Sequence, residues 1–230
     1  MTPIDNALIE RLSIADRVRF LDLCERVPLR RTDCLFEPGE AIQHVYFPVE
    51  GFVCLFAQEP STSGLVIAMV GREGMLDARA VLGVVKTPVR ASVQVEGWAW
   101  RVPAEVFQRH LETSVVLKRL MDRYVAVVLN QSAALALCLH YHEIDARLAR
   151  WLLLSHDRTG ASHCHITQES LSTMLGVRRV SITTAANLLQ RLGAISYHRG
   201  DIRLLDRAAL EQVACNCYHA DRESYEELIR

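Results

Sequence analysis

The 230-residue chain has no surplus of charge, with 26 Lys and Arg against 27 Asp and Glu and a formal net charge of −1. That excludes a protein that holds polyanions through bulk positive charge. A long hydrophobic run is also missing. The most apolar stretch, "YVAVVLNQSAALALCL" (124–139), is shorter than the ~20 residues of a membrane span and has Asn130, Gln131 and Ser132 at its centre, so no membrane partner is expected. The opening "MTPIDNALIERLS" has neither a basic n-region nor an apolar h-region, which predicts no secretory signal. Seven cysteines, an odd number with no CxxC pair, predict reduced thiols in a cytoplasm rather than a disulfide framework. There is no GxSxG, no Gly-rich phosphate loop and no carboxylate pair at a telling spacing, so no enzyme is expected.

What is present is ordinary for a soluble globular protein, 50% hydrophobic and 23% charged, and long enough for two domains. Positions 7–27 carry Leu8, Leu12, Ala15, Val18, Leu21 and Leu23 at mostly helical spacing. From 34 to about 102 the period shortens into strands punctuated by Gly and Pro. In "ASVQVEGWAWRV", Ala91, Val93 and Val95 alternate with Ser92, Gln94 and Glu96, and Trp98 and Trp100 are expected in a core. "QEPSTSG" (58–64) has the composition of a hairpin loop. Such strands predict an antiparallel barrel or sandwich.

Pro103 can open a helix, and helical sequence runs on to about 142. Leu117, Leu120, Tyr124, Val127, Gln131, Ala134, Cys138 and Tyr141 follow one another at alternating steps of three and four, the a/d seam of a coiled coil. A second stripe, Met121, Val125, Val128, Leu135 and Leu139, lies beside it, so the helix needs two packing partners. One is expected to be its own barrel and the other the same helix of a second subunit, with Leu117 to Cys138 as the homodimer interface.

The stretch "ITQESLSTMLGVRRVSITTAANLLQRLGAI" (166–195) reads as two short helices around Gly176, and "AISYHRGDIRLLD" (194–206) as a small hairpin. Thr167 is a natural N-cap, and Leu171 and Leu175 form a buried face. In the second helix Val180 or Ile182, Ala186, Leu189 and Leu192 are expected inside. Arg178, Arg179, Ser181, Thr184 and Asn187 are expected outside. This is a helix-turn-helix with a wing. Between 166 and 203, five arginines face two acids, whereas 206–230 holds six acids against three arginines. A local basic patch in a neutral chain suits a specific polyanion. Arg at the start of a recognition helix can place its fork on guanine, and hydroxyls and helix N-termini suit phosphates. The expected duplex DNA contacts are Thr167, Arg178, Arg179, Ser181, Thr183, Thr184, His198 and Arg199.

Taken together, barrel, long helix and winged helix-turn-helix resemble the CRP/FNR family of bacterial transcription regulators. "FEPGEAIQHVYFPVEGFV" resembles the start of that family's cyclic-nucleotide-binding-type barrel, and "VGREGM" and "TPVRASVQV" resemble the ends of its phosphate-binding cassette. The resemblance implies an α+β fold. Its parts are a sensor barrel or jelly roll with flanking helices (1–110), a dimerisation helix (111–142) and a winged helix-turn-helix with a helical tail (143–230). It also implies RNA polymerase as a partner and an effector of unknown chemistry. The cassette departs from cyclic-AMP binders. Their Gly-Glu matches Gly74-Met75 here and their Arg-Ser matches Arg90-Ala91, so only Arg90 remains to hold an anion or pair with a barrel carboxylate. Cyclic AMP is not an expected ligand. The recognition helix departs too: the catabolite-type Arg-Glu-x-x-x-Arg, aligned on Gly176, reads Arg179-Val180-Ser181-Ile182-Thr183-Thr184.

Cys164 between His163 and His165, and the pair Cys215 and Cys217, fit no standard zinc spacing, so no metal or cofactor is expected. Cys138 in the seam is a candidate redox switch, with an inert buried thiol as the simpler reading. The expectation is a cytoplasmic homodimeric DNA-binding regulator. The alternative is a small-molecule or redox-responsive effector whose helix-turn-helix contacts protein.

Overall fold

A computed structural model describes residues 6–58 and 64–229. The expected 58–64 loop therefore lies mostly outside the described residues. Two short helices, α1 (Ala7–Glu10) and α2 (Ile14–Leu21), precede five antiparallel strands: β1 (Glu25–Leu29), β2 (Cys34–Phe36), β3 (His44–Ala57), β4 (Leu65–Val70) and β5 (Arg90–Pro103). The two long strands make the roll. The first half of β3 pairs with the end of β5, where β1 also pairs, and its second half pairs with the start of β5 and with β4. Between the halves the register slips at Glu50 and Phe52, and both strands bend there. Glycine is required at that bend. A Cβ on Gly51 would stand 2.3 Å from the Val95 carbonyl oxygen, and one on Gly97 would stand 2.2 Å from that of Glu50.

Pro103 caps α3 (Ala104–Thr113), and Ser114 breaks the helical sequence by capping α4 (Val115–Tyr141) through its hydroxyl, which accepts from the Leu117 amide at 3.3 Å. By length and composition α4 is long and apolar enough to cross a membrane, which the shorter apolar run did not suggest. Its first half instead packs on the roll. Leu117, Leu120, Met121, Tyr124 and Val127 are buried with Phe47, Met75, Phe107 and the N-terminal helices.

Most residues of the expected dimer seam are buried within the chain itself. Leu117, Leu120, Tyr124 and Val127 face the chain's own roll, and Cys138 lies under the C-terminal tail. Gln131 and Ala134 are half-buried on the same side. The most apolar stripe is taken by the nearest apolar surface, which is intramolecular. On the opposite face Asp122, Ala126, Leu129, Ala133, Ala136 and His140 also step by four and three, and Leu129 is 65% exposed and Leu137 55%.

α5 (Ile144–Thr159) follows a break at His142. Then come β6 (His163–His165), α6 (Gln168–Leu175), α7 (Arg179–Arg191), β7 (Ile195–His198), β8 (Asp201–Leu204), α8 (Arg207–Val213) and α9 (Cys217–Leu228). The C-terminal part is docked on the roll. Phe52, Cys54 and Met69 share one core with Leu148, Trp151, Leu171, Met174 and Ile182, and Arg158 binds the Met69 carbonyl and Glu73. α9 lies along α4 as a strut: Asn130 donates to Ser224 and the Tyr225 hydroxyl to the Glu73 carbonyl.

Candidate nucleic-acid interface

Thr167 caps α6 as expected, its hydroxyl accepting from the Ser170 amide at 3.1 Å. Gly176 ends α6 at φ +64, and Arg178 begins α7 in extended backbone. Ile182, Ala185, Ala186 and Leu189 bury one face of α7. Of the two candidates for the first buried position, Ile182 is inside, whereas Val180 is 74% exposed. Leu192 is also exposed, against expectation, because α7 ends one residue earlier and the chain turns away.

The outward face of α7 carries Arg179, Val180, Thr184 and Asn187, with Thr183 at its margin. Thr183 serves the fold as well, donating to Gln168 of α6 at 2.9 Å and so fixing the angle between the two helices. Arg178 and Ser181 lie to one side, in a cleft shared with Leu65, Leu139, Arg147 and Gly176. Neither Arg178 nor Arg179 makes an ion pair among the described residues. Elsewhere the arginines Arg150, Arg158 and Arg207 are bound to carboxylates.

The wing has three strands, in the order β6-β8-β7. The residues His163–His165, expected as a polar loop, form its third strand by pairing with Asp201–Arg203. Nothing local signals this, since a three-residue strand has no period to read. Cys164 is half-buried there, with burial pushing its thiol up to about 11, and it stands apart from Cys215 and Cys217. His165 meets Asp201 at 2.8 Å, and the hydrogen bond from that ring holds the Asp201 carboxyl below its usual range. At the tip His198 and Arg199 are exposed. Arg199 sits at φ +49 and Gly200 at φ +90, the two left-handed residues of a tight hairpin turn.

At the expected sensor site the matched residues meet side chains of the same chain. Met75 is 1% exposed within the core under α4, and a Cβ on Gly74 would stand 2.1 Å from the Tyr124 hydroxyl, which donates to the Met75 carbonyl. Arg90 pairs with Glu37 at 3.3 Å, as the carboxylate alternative expects, and both side chains are partly exposed. Asn6, which sequence reasoning passed over, is fully buried. It caps α1 and donates to the carbonyls of Pro48 and Gly74, tying the N-terminus to this loop.

A roll of the cyclic-nucleotide type, a spine helix and a winged helix-turn-helix define a DNA-binding transcription regulator. The family model described as a cyclic nucleotide-binding domain matches residues 26–114, and that described as a Crp-like helix-turn-helix domain matches residues 146–213. The chain belongs to the CRP/FNR family of transcription regulators. Its fold is shared with FixK2 from Bradyrhizobium japonicum (TM-score 0.70, 16% identity, 84% of this chain and 98% of that one). It is also shared with the c-di-GMP-responsive global regulator CLP from Xanthomonas campestris (0.67, 17%, 88% and 100%). A third structure of this fold is a CRP-family transcriptional regulator from Thermus thermophilus (0.66, 20%, 82% and 96%). No curated protein matches the chain in sequence.

Proposed function

We propose that the protein is a cytoplasmic homodimer that binds a near-palindromic DNA site and governs transcription through RNA polymerase without using cyclic AMP as its signal. The observation that carries this is the exposed start of α7, where Arg178 and Arg179 precede Val180, Thr183 and Thr184 with no carboxylate partner among the described residues. Arg179 is assigned to a base edge, Arg178 to the backbone, and Val180 to a thymine methyl, which an exposed apolar side chain on a recognition helix suits. Thr167, Ser181, His198 and Arg199 flank this face as phosphate contacts. The face of α4 through Ala126, Leu129, Ala133 and Ala136 is assigned to the partner subunit. Small residues at those steps let two helices approach closely, and the face is otherwise an unpaired apolar strip on a charged surface.

A two-fold dimer would set its reading helices about 34 Å apart, in successive major grooves. Selection from a random duplex pool should return a two-fold symmetric sequence whose affinity falls steeply with salt, because phosphate neutralisation releases counterions. Binding without salt dependence would favour the protein-contact alternative. Cyclic AMP should show no heat of binding by calorimetry, since Met75 offers no acceptor to a ribose and Arg90 already has Glu37. Micromolar binding would overturn that part. An effector that couples the two halves would act in the cavity between β4, α4 and α5. That cavity is lined by Met69, Leu135, Trp151, Arg147, Arg150 and Arg158.

A further inference from the structure

We propose that Cys138, His142, Cys215 and Cys217 form a closed tetrahedral site for a thiophilic divalent cation, zinc by preference, which clamps the C-terminal tail to the end of α4. Their ligand atoms all lie within 4.8 Å of one another. The Cys138 and Cys215 sulfurs are 3.5 Å apart, and the Cys217 sulfur is 3.6 Å from Nδ1 of His142. Zinc–sulfur bonds of ~2.3 Å at tetrahedral angles place two sulfurs about 3.8 Å apart, so these spacings fit one ion at the centre. They leave no room for the bridging sulfides of an iron–sulfur cluster.

The donor set is three thiols and one imidazole, a combination of structural zinc sites with no position left for water. The three cysteines are buried and form a small core of their own with Ala146. All three are free thiols. Two further features suit a thiolate site. Cys217 opens α9, where helix N-terminal amides favour negative charge. Arg150 of α5, bound to Asp221 of α9 at 2.5 Å, and Arg147 both interact electrostatically with Cys138 and Cys215. They offset the single net negative charge that one divalent ion and three thiolates would carry.

The position gives the ion a consequence. Cys138 and His142 stand one turn apart where α4 ends and the chain turns into α5, the junction of the sensor and DNA-binding halves. Cys215 and Cys217 belong to the stretch after residue 213, beyond the helix-turn-helix family match. An added tail thus supplies half of the ligands, and the bound ion would fix α9 against the spine.

The test is anaerobic titration of the reduced full-length protein with Co²⁺, followed by Zn²⁺. The proposal expects one Co²⁺ per chain, with thiolate-to-cobalt charge-transfer absorption and the intense visible bands of tetrahedral cobalt, both abolished by Zn²⁺. Zinc should then shield three of the seven cysteines from a thiol reagent. Cys215→Ser should lose the tetrahedral spectrum, and Cys34→Ser and Cys164→Ser should keep it. Hydrogen exchange in 214–229 should rise when the metal is chelated. Weak octahedral bands in the wild-type protein would overturn the site, as would a tetrahedral spectrum that survives Cys215→Ser. A Cys138–Cys215 disulfide in protein that takes up no zinc after reduction would assign the pair to redox chemistry instead. None of these readouts depends on DNA binding.

Discussion

Arg179 and Arg178 are neighbours in sequence but differ in geometry. Arg179 is on the outward face of α7, and Arg178 is its N-cap, turned toward the cleft beside the roll. Arg179→Ala should cost ~1–3 kcal/mol on the selected site and relax preference at one guanine per half-site. Arg178→Ala should weaken all sequences alike and lower the salt slope by about one unit per half-site. Titrating each variant against single-base operator variants at several salt concentrations separates them. Equal weakening everywhere by Arg179→Ala would mean the helix is rotated and Val180 or Thr184 reads the bases. Arg199 makes a second residue-scale case. A long side chain at φ +49 is strained where asparagine is at ease. Arg199→Asn should therefore leave thermal stability equal or up to about 1 kcal/mol higher while DNA affinity drops. A parallel loss of both would show that Arg199 serves the fold rather than phosphate.

At the scale of elements, α4 divides its two faces between two tasks. Val127 is fully buried against the roll, whereas Leu129, two residues on, points outward. Val127→Glu should destabilise each subunit by at least about 3 kcal/mol, by burying an unpaired charge. Leu129→Glu should leave the subunit folded and shift sedimentation from dimer to monomer. A Leu129→Glu protein that remains dimeric would move the interface elsewhere. The heptad itself was legible in the sequence, and so were the strand region, the Thr167 cap, the Gly176 turn and the arginine-led helix. Which face of α4 turns outward was not. The buried stripe is the more apolar one, and a coiled-coil pattern does not record whether its partner is another subunit or a sheet elsewhere in the same chain. The wing's third strand and the Cys138–His142–Cys215–Cys217 cluster were hidden for the same reason. Each joins short segments whose own spacing is silent, and only the later return of the chain brings them together.

In the whole molecule the tail bridges the spine helix, the roll and α5. α9 packs on α4, reaches the roll through Tyr225 and Glu73, and joins α5 through the Arg150–Asp221 ion pair and a second polar cluster. There Tyr218 donates to Asp157 at 2.6 Å, and Arg207 binds Asp157 at 2.8 Å and Glu211 at 2.8 Å. Burial by itself would raise the Asp157 carboxyl. The Tyr218 hydroxyl and the Arg207 guanidinium outweigh it and hold the group below the ordinary carboxylate range. A carboxyl depressed in the folded state stabilises the fold fully at pH well above the unfolded value of about 3.9. That stability is lost as pH falls through the lower folded value. Asp157→Asn should therefore lower stability near neutral pH by about 1.5–3 kcal/mol, the worth of hydrogen bonds to a charged group. The gap between wild type and variant should narrow as the pH drops below about 4. Chemical denaturation of both proteins from about pH 7 to about pH 3 checks this, and a gap that stays constant over that range would show that the cluster acts through packing and not charge. Because Tyr218 and Arg207 belong to α9 and α8 while Asp157 belongs to α5, the same loss should appear as faster hydrogen exchange along α9. The roll strands β3 and β5, whose pairing is independent of the cluster, should keep their protection.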